Sequence, residues 1–314
     1  MISNTFRRTP RISLWWWRLR EAWREAWQEV VDSWKTEKEK RFDRINSDPK
    51  VHEYRRLHPE RLVFVVDGKC ISSDEVLYAQ CRVARAQRLP ELIAALPPNG
   101  LSLAIVGSGP SVDIEEVKKH HGPIMALKGA HDWLIERGIT PHYAVAADPQ
   151  QSRARCFKLL NDETIYFCAS QMHPDTWEHL KGRKVIIWHS QNDAKQPDLP
   201  EWRGVPLVPG GSTTGMRAMP IAYLLGYRDL QLFGFDSSVK DGAYKVDGSP
   251  VKDGDSEITV WVGEREFKTC TLMIPQVEQL KDIARMMPGV KITAHGDGLF
   301  QEVLKQGKLA GWPV

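Results

Sequence analysis

The chain of 314 residues has little of three things: paired cysteine, long apolar runs and net charge. Its five cysteines (Cys70, Cys81, Cys156, Cys168 and Cys270) are odd in number and scattered, with no Cys-x-x-Cys spacing. That argues against a disulfide framework or a thiolate zinc site and predicts reduced thiols in an intracellular protein. No apolar run reaches the roughly 20 residues of a membrane-spanning helix, and the N-terminus lacks the apolar core of a signal peptide. A cytoplasmic location is the resulting expectation. A formal net charge of +3 gives no strong signal for nucleic acid or a membrane as main partner. No Gly-Lys-Ser/Thr phosphate loop occurs. Where a dinucleotide fingerprint starting at Gly107-Ser108-Gly109 would carry its third glycine, Val112 stands instead. No acidic ribose partner is evident either, so an NAD- or SAM-dependent enzyme fits poorly.

Tryptophan is abundant at one end: Trp15, Trp16, Trp17, Trp23, Trp27 and Trp34 are half of the 12 present. Trp16, Trp23, Trp27 and Trp34 step by 7, 4 and 7, which places them on one helical face. Glu21, Glu25 and Glu29, with Arg20 and Arg24, take the other faces at i,i+4 spacing. The pattern predicts an amphipathic helix over roughly Leu14 to Arg44. Its apolar stripe suits the protein's own body or a second copy, another protein, or a membrane surface; the interleaved acids weigh against the last. A strand-like run, Arg61–Val66, and a helix, Asp74–Arg88, follow. Leu96-Pro97-Pro98-Asn99-Gly100 is the clearest linker. It divides an N-terminal region, 1–98, from a domain, 99–314.

Beyond the linker, strand and helix patterns alternate. Strands are expected at Ser102–Val106, Ile124–Leu127, Tyr143–Ala147, Ile165–Ala169, Lys184–Trp188, Leu230–Phe235 and Val290–Ala294. Helices include Ala130–Arg137, Gln151–Leu160, Thr213–Leu225 and Gln276–Met287. Most of the strands are nearly all apolar, as strands covered on both faces must be. The fold class is therefore α/β: a Rossmann-like, doubly wound and mostly parallel sheet, preceded by a mainly helical region. Asp241 to Thr269 breaks the alternation and reads as a β-hairpin excursion around Val262-Gly263-Glu264, in the position of a lid.

Ligands of such sheets bind beyond the carboxyl ends of the strands. Gly107, Ser108, Gly109, Pro110 and Ser111 follow the first strand there, and Asp113 and Glu116 have the spacing of a capping box on the next helix. Lys128 follows the second strand and Asp148 the third; His189 and Asn192 stand after Lys184–Trp188, Asp236 after Leu230–Phe235, and His295 after Val290–Ala294. A second glycine loop, Gly210, Gly211, Ser212, Thr213 and Thr214, precedes a helix carrying Arg217 in its first turn. Glycines permit close backbone approach, and a helix N-terminus offers N–H groups to a phosphate or carboxylate. Asp148 and Asp236 are candidates for Mg²⁺ or for sugar hydroxyls, and His189 and His295 are candidate general bases. Each also has a plain structural reading, as a helix cap or a hydrogen-bonded strand-end residue.

Several segments, in order, resemble the MptE-like family, named for an archaeal 6-hydroxymethylpterin diphosphokinase. They are Ile105-Val-Gly-Ser-Gly-Pro-Ser111, the stretch from Ala126-Leu-Lys-Gly129 to Pro141, Ala147-Asp-Pro149, Gly210-Gly-Ser-Thr-Thr-Gly215 with Ala222-Tyr-Leu-Leu-Gly226, Leu232-Phe-Gly-Phe-Asp236, and His295-Gly-Asp-Gly298. The resemblance spans roughly Pro98 to Lys305. The same superfamily includes the motility accessory factor glycosyltransferases, and the first glycine loop is similar to the CMP-binding loop of certain bacterial sialyltransferases. The resemblance implies a Rossmann-like domain that binds a nucleotide donor (ATP, or a CMP- or NDP-sugar) and transfers a group from it to a small-molecule or glycan acceptor, with Mg²⁺ in the diphosphokinase branch. The two glycine loops would hold donor phosphates, and Asp148 and Asp236 would face the nucleotide or metal.

The chain departs from the family pattern at Lys128, where a small polar residue is expected. It departs again at Trp188-His-Ser-Gln-Asn-Asp193, which replaces a His- and Gly-rich turn and argues against pterin specificity. The form of the second loop is closer to glycosyltransferase and phage-type members. The leading expectation is a nucleotide-dependent transferase, glycosyltransferase-like or diphosphokinase-like. The alternative is a non-catalytic binding or assembly protein that keeps the fold and works through its Trp-rich helix.

Overall fold

The computed structural model describes residue 72, residues 74–92, 95–191, residue 202, and residues 205–250, 257–270 and 273–306. The expected Trp-rich helix over 14–44, the strand at 61–66 and Asn192 lie outside the described residues. None of the described helices is long and apolar enough to cross a membrane.

Helix α1 (Asp74–Ala86) buries Leu77, Cys81 and Ala84, which share one face at i, i+4 and i+7. The chain then runs beside the sheet. The N–H of Ile187 donates to the Pro90 carbonyl (2.8 Å), and Leu92 donates back to Ile187 (2.7 Å). Residues of the expected linker are tied to the far end of a later helix, through Leu96 to Leu224 (2.7 Å) and Asn99 to Gly226 (3.0 Å).

The sheet has eight strands, all paired in parallel: β1 (Ser102–Val106), β2 (Ile124–Leu127), β3 (Tyr143–Ala146), β4 (Ile165–Ala169), β5 (Lys184–Ser190), β6 (Leu207–Val208), β7 (Asp229–Phe233) and, after a hairpin, β10 (Lys291–His295). The hairpin, β8 (Glu257–Val262) and β9 (Arg265–Cys270), is antiparallel and turns at Val262-Gly263-Glu264, as expected. Spatial order is β10-β7-β1-β2-β3-β4-β5-β6. The chain thus winds outward from β1 to β6 and returns to lay β7 against the other edge of β1. The switch point falls between β1 and β7, where open α/β sheets take ligands.

Both faces of the sheet are covered. Leu103 and Ile105 of β1 belong to a large core with α5 (Thr214–Leu224) and α6 (Ile274–Arg285), and Ala104 and Val106 to a second core with α2 (Ile114–Lys118) and α3 (Lys128–Ile135). That explains strands without polar alternation. Short helices α4 (Asp175–His179) and α7 (Leu299–Lys305) complete the layers.

Three local expectations differ from the structure. The helix expected over Gln151–Leu160 is a single 3₁₀ turn, Gln151–Arg153. The reason is the Asp132 carboxylate, which accepts from the N–H groups of Lys158 (3.0 Å) and Leu159 (3.2 Å) and holds that stretch on α3. Strand β5 extends through His189 and Ser190 because these pair with Leu207 and Val208 of the short β6. At α2 the Asp113 side chain accepts from the N–H of Glu115 (2.8 Å), while Glu116 pairs with Lys119 instead of closing a capping box.

Candidate functional site

At the switch point the ends of β1 and β7 interlock. The N–H of Gly107 donates to Phe233 (2.7 Å), and that of Gly109 to Gly234 (2.9 Å). A Cβ on Gly107 or Gly109 would stand 2.6 Å from the Gly234 carbonyl, closer than side chains approach. Gly234 itself has φ +66°. These glycines therefore serve the joint between two strands.

Asp236 lies at the centre of that joint and is 2% exposed. One carboxylate oxygen accepts from the Ser111 N–H (2.7 Å); the other accepts from the Ser111 hydroxyl and from Gln301 Nε2 (3.1 Å). Burial pushes its pKa up, and these hydrogen bonds oppose the shift. Gln301 also donates to the His295 carbonyl (2.8 Å) and accepts from the Gly298 N–H (3.0 Å), so the ends of β1, β7 and β10 close on one carboxylate. Ser237, next in the chain, is held at φ +50°, and its carbonyl accepts from Thr269 of the hairpin (2.7 Å).

Beside this joint lie the N-termini of two helices, α3 and α5. Helix α3 begins at Lys128 with no side-chain cap and no acidic residue in its first turn, leaving N–H groups directed outward. Gly129 there is exposed, and a Cβ on it would stand 2.8 Å from Ser108 Oγ. Helix α5 likewise has no acid in its first turn; its N-cap is Thr213, whose hydroxyl accepts from Met216 (3.4 Å). The two glycine loops meet across Leu127, whose Cδ1 would lie 3.5 Å from a Cβ on Gly107 and 3.3 Å from one on Gly215. Thr214 and Pro110 are half-buried at this edge. By contrast α2, which directly follows the first glycine loop, is capped by Asp113 and carries Glu115 and Glu116 in its first turn. Those acids repel an anion, which distinguishes α2 from the N-termini of α3 and α5. The excursion reaches the first glycine loop, where the Val246 N–H donates to the Ser108 carbonyl (2.8 Å).

Other expected contacts are otherwise engaged. Lys128 forms an ion pair with Asp148, both side chains less than a third exposed. Arg217 packs against Gly210 and donates to the carbonyls of Gln191 (3.3 Å) and Val208 (3.4 Å). Ser212 donates through its N–H and hydroxyl to Gln279 (2.8 and 3.1 Å), which also packs on Gly211.

Neither histidine ring joins Asp236. His189 is fully buried within β5, with Nδ1 at 3.0 Å from Ser170 Oγ and Nε2 at 3.0 Å from Glu91. Burial lowers its pKa against the pull of Glu91. A neutral ring that donates from Nε2 to Glu91 and accepts the Ser170 proton satisfies this chain of groups. Cys81 Sγ, 3.2 Å from Ser170 Oγ, extends it, and burial pushes that thiol up to about 11. His295 stacks on Phe233 (4.3 Å) with Nε2 at 2.8 Å from Gln231.

Sequence reasoning missed Gln301, Gln279, Ser170 and Glu91. Only Gln301 had a signal: it stands three residues after Gly298, at capping-box spacing. The implied Mg²⁺ finds no prepared donor set, since the Asp236 oxygens are taken by Ser111 and Gln301, and Asp148 is held by Lys128. Among the described residues no group of three His, Cys, Asp or Glu side chains is placed to hold a metal.

No curated protein matches the chain. The structure of the MAf glycosyltransferase from Magnetospirillum magneticum AMB-1 matches with a TM-score of 0.52 at 18% identity, over 75% of this chain and 41% of that one. The likeness is one of fold, and it spans less than half of that longer protein. A family model described as 6-hydroxymethylpterin diphosphokinase MptE-like matches residues 82–242, half of the chain. The chain belongs to the MptE-like family.

Proposed function

We propose that the protein is a nucleotide-dependent transferase that seats the donor's phosphates between the first glycine loop and the N-termini of α3 and α5. The observation that carries this reading is the start of α3: no cap, no acid, and Lys128 and Ser108 beside it. Glycosyl transfer is favoured over diphosphoryl transfer. The latter depends on Mg²⁺ spanning the phosphates, whereas Asp236 is spent on Ser111 and Gln301, and among the described residues no group of three His, Cys, Asp or Glu side chains is placed to hold a metal. The fold's likeness to a glycosyltransferase agrees with the choice.

In this reading Lys128 turns from Asp148 to the donor phosphate and neutralises charge as the phosphate leaves. The freed Asp148 accepts the proton of the acceptor hydroxyl while that hydroxyl's oxygen bonds to the sugar's anomeric carbon. The carbon–phosphate-oxygen bond breaks and its electron pair leaves with the nucleotide. Asp236 holds Ser111 and its loop in place without touching substrate. His189 and His295 have no part in the step.

Thermal stabilisation of the purified protein by CMP, CDP, UDP, GDP, ATP and NAD, each with and without Mg²⁺, tests the reading. Selective stabilisation by a pyrimidine or guanine nucleotide without metal is expected. A response to ATP only with Mg²⁺ moves the assignment to diphosphoryl transfer. No response to any nucleotide overturns it and leaves the assembly role of the Trp-rich segment.

A further inference from the structure

We infer that the carboxamides of Gln80 and Gln171 form a subsite for the hydroxyl-rich group carried by the donor; this rests on the transferase reading above. Gln80, on α1, donates its Nε2 to the Pro149 carbonyl (3.1 Å), and Gln171, just past β4, donates its Nε2 to the Ala147 carbonyl (2.9 Å). These two carbonyls flank Asp148. Because a backbone carbonyl only accepts, each amide is oriented with its NH₂ on the backbone and its oxygen elsewhere. Both residues are more than nine-tenths buried, at 2% and 6% exposed, and both Oε1 atoms lack a hydrogen-bond partner among the described residues. The segments that carry them are held together by the neighbouring Cys81–Ser170 contact of 3.2 Å.

Buried acceptors without a donor are uncommon, and here two belong to the amides that hold the chain on either side of Asp148. A ligand with several hydrogen-bond donors completes them. The missing donors are neutral: a carboxamide oxygen carries no net charge, so hydroxyl or amide groups complete it without calling for an ammonium group. The position suits the transferred group. Ser108 lies beyond β1 and Asp148 beyond β3, two strands along the same edge, a separation of about 10 Å. A nucleotide sugar with its phosphates at Ser108 and Gly129 carries its sugar toward the two glutamines.

The test compares each bare nucleotide with its sugar conjugate: CMP with CMP-N-acetylneuraminate, UDP with UDP-N-acetylglucosamine, GDP with GDP-mannose. Affinities are measured by calorimetry on the full chain and on the Gln171→Met and Gln80→Met variants, with melting temperature as the check of folding. In the wild type one conjugate should bind about tenfold tighter than its nucleotide, and each variant should lose that gain while binding the bare nucleotide as before. Equal affinities in the wild type, or a gain that survives in a folded variant, overturn the subsite alone. Failure of every nucleotide and conjugate to bind overturns the transferase reading as well. Should Gln80→Met not fold, the wild-type ratio and Gln171→Met decide.

Discussion

Asp236 holds Ser111 by both its backbone N–H (2.7 Å) and its hydroxyl, joining residues 125 positions apart across the β1–β7 boundary. Removing the carboxylate takes the acceptor from three donors, two on half-buried Ser111 and one on buried Gln301. Asp236→Ala should cost about 3 kcal/mol, because hydrogen bonds to a charged group are the strong ones. That corresponds to a melting temperature lower by roughly 6–12 °C. Ser111→Ala removes only the hydroxyl and should cost about 1 kcal/mol. The two losses should not add, since they share one interaction. Urea unfolding of the single and double variants checks this. Additive losses would detach Ser111 from the role given to Asp236.

Gly109 and Gly138 separate two reasons for a glycine. A side chain at Gly109 meets the Gly234 carbonyl at 2.6 Å and the Asp236 carboxylate, whereas Gly138 has φ +77° and open space around it. Gly138→Ala should cost about 1 kcal/mol, the strain of left-handed backbone alone. Gly109→Ala must force β1 and β7 apart and should cost several times more, with loss of stabilisation by any nucleotide. Comparable melting temperatures for the two variants would contradict the interlock.

The alternation of apolar strands and helices was legible because a strand covered on both faces, such as Leu103–Val106, leaves nothing polar to alternate. The glycine loops were legible as glycines, but not their purpose. That Gly107 and Gly109 are crowded by Gly234 follows only once β7 is known to return beside β1. The placement of His189 was obscured for a similar reason. Its strand runs two residues further because a two-residue partner, too short to carry a pattern, pairs with it. The false helix at Gln151–Leu160 had suitable periodicity and lost to a side chain, Asp132, that captures its backbone N–H groups. The buried oxygens of Gln80 and Gln171 had no sequence signal, since a lone glutamine looks the same in a core and on a surface.

Lys128 and Asp148 divide binding from chemistry. Lys128→Met should remove most of the stabilisation that a nucleotide confers, and what the wild type shows should weaken with added salt. Asp148→Asn should bind the same nucleotide at least as well while transfer falls about 100-fold or more, the range of a lost general base. Thermal shifts and donor consumption, measured side by side on both variants, check the split. If Asp148→Asn loses binding and transfer in equal measure, Asp148 serves the donor and not the acceptor proton.

Acid should loosen the fold before it reaches the carboxylates. His120, His131, His189 and His295 are each held below the ordinary histidine value of 6.5, in every case mainly by burial. The nearby Asp132, Glu91 and Glu116 oppose the shift at His131, His189 and His295 without reversing it. A lowered folded-state pKa means that the unfolded chain binds more protons between that value and 6.5. Stability is therefore full above pH 6.5 and falls as pH drops through the folded-state values. For the fully buried rings of His131 and His189 the loss falls between 6.5 and their lowered folded-state values, where the unfolded chain holds the extra proton. His131→Phe keeps an aromatic ring against Phe157, 4.9 Å away, and removes one titrating group, so its stability should fall less steeply with acid. Melting temperatures of wild type and variant between pH 8 and pH 5 measure the difference. Parallel curves would mean that His131 takes up its proton without cost to the fold.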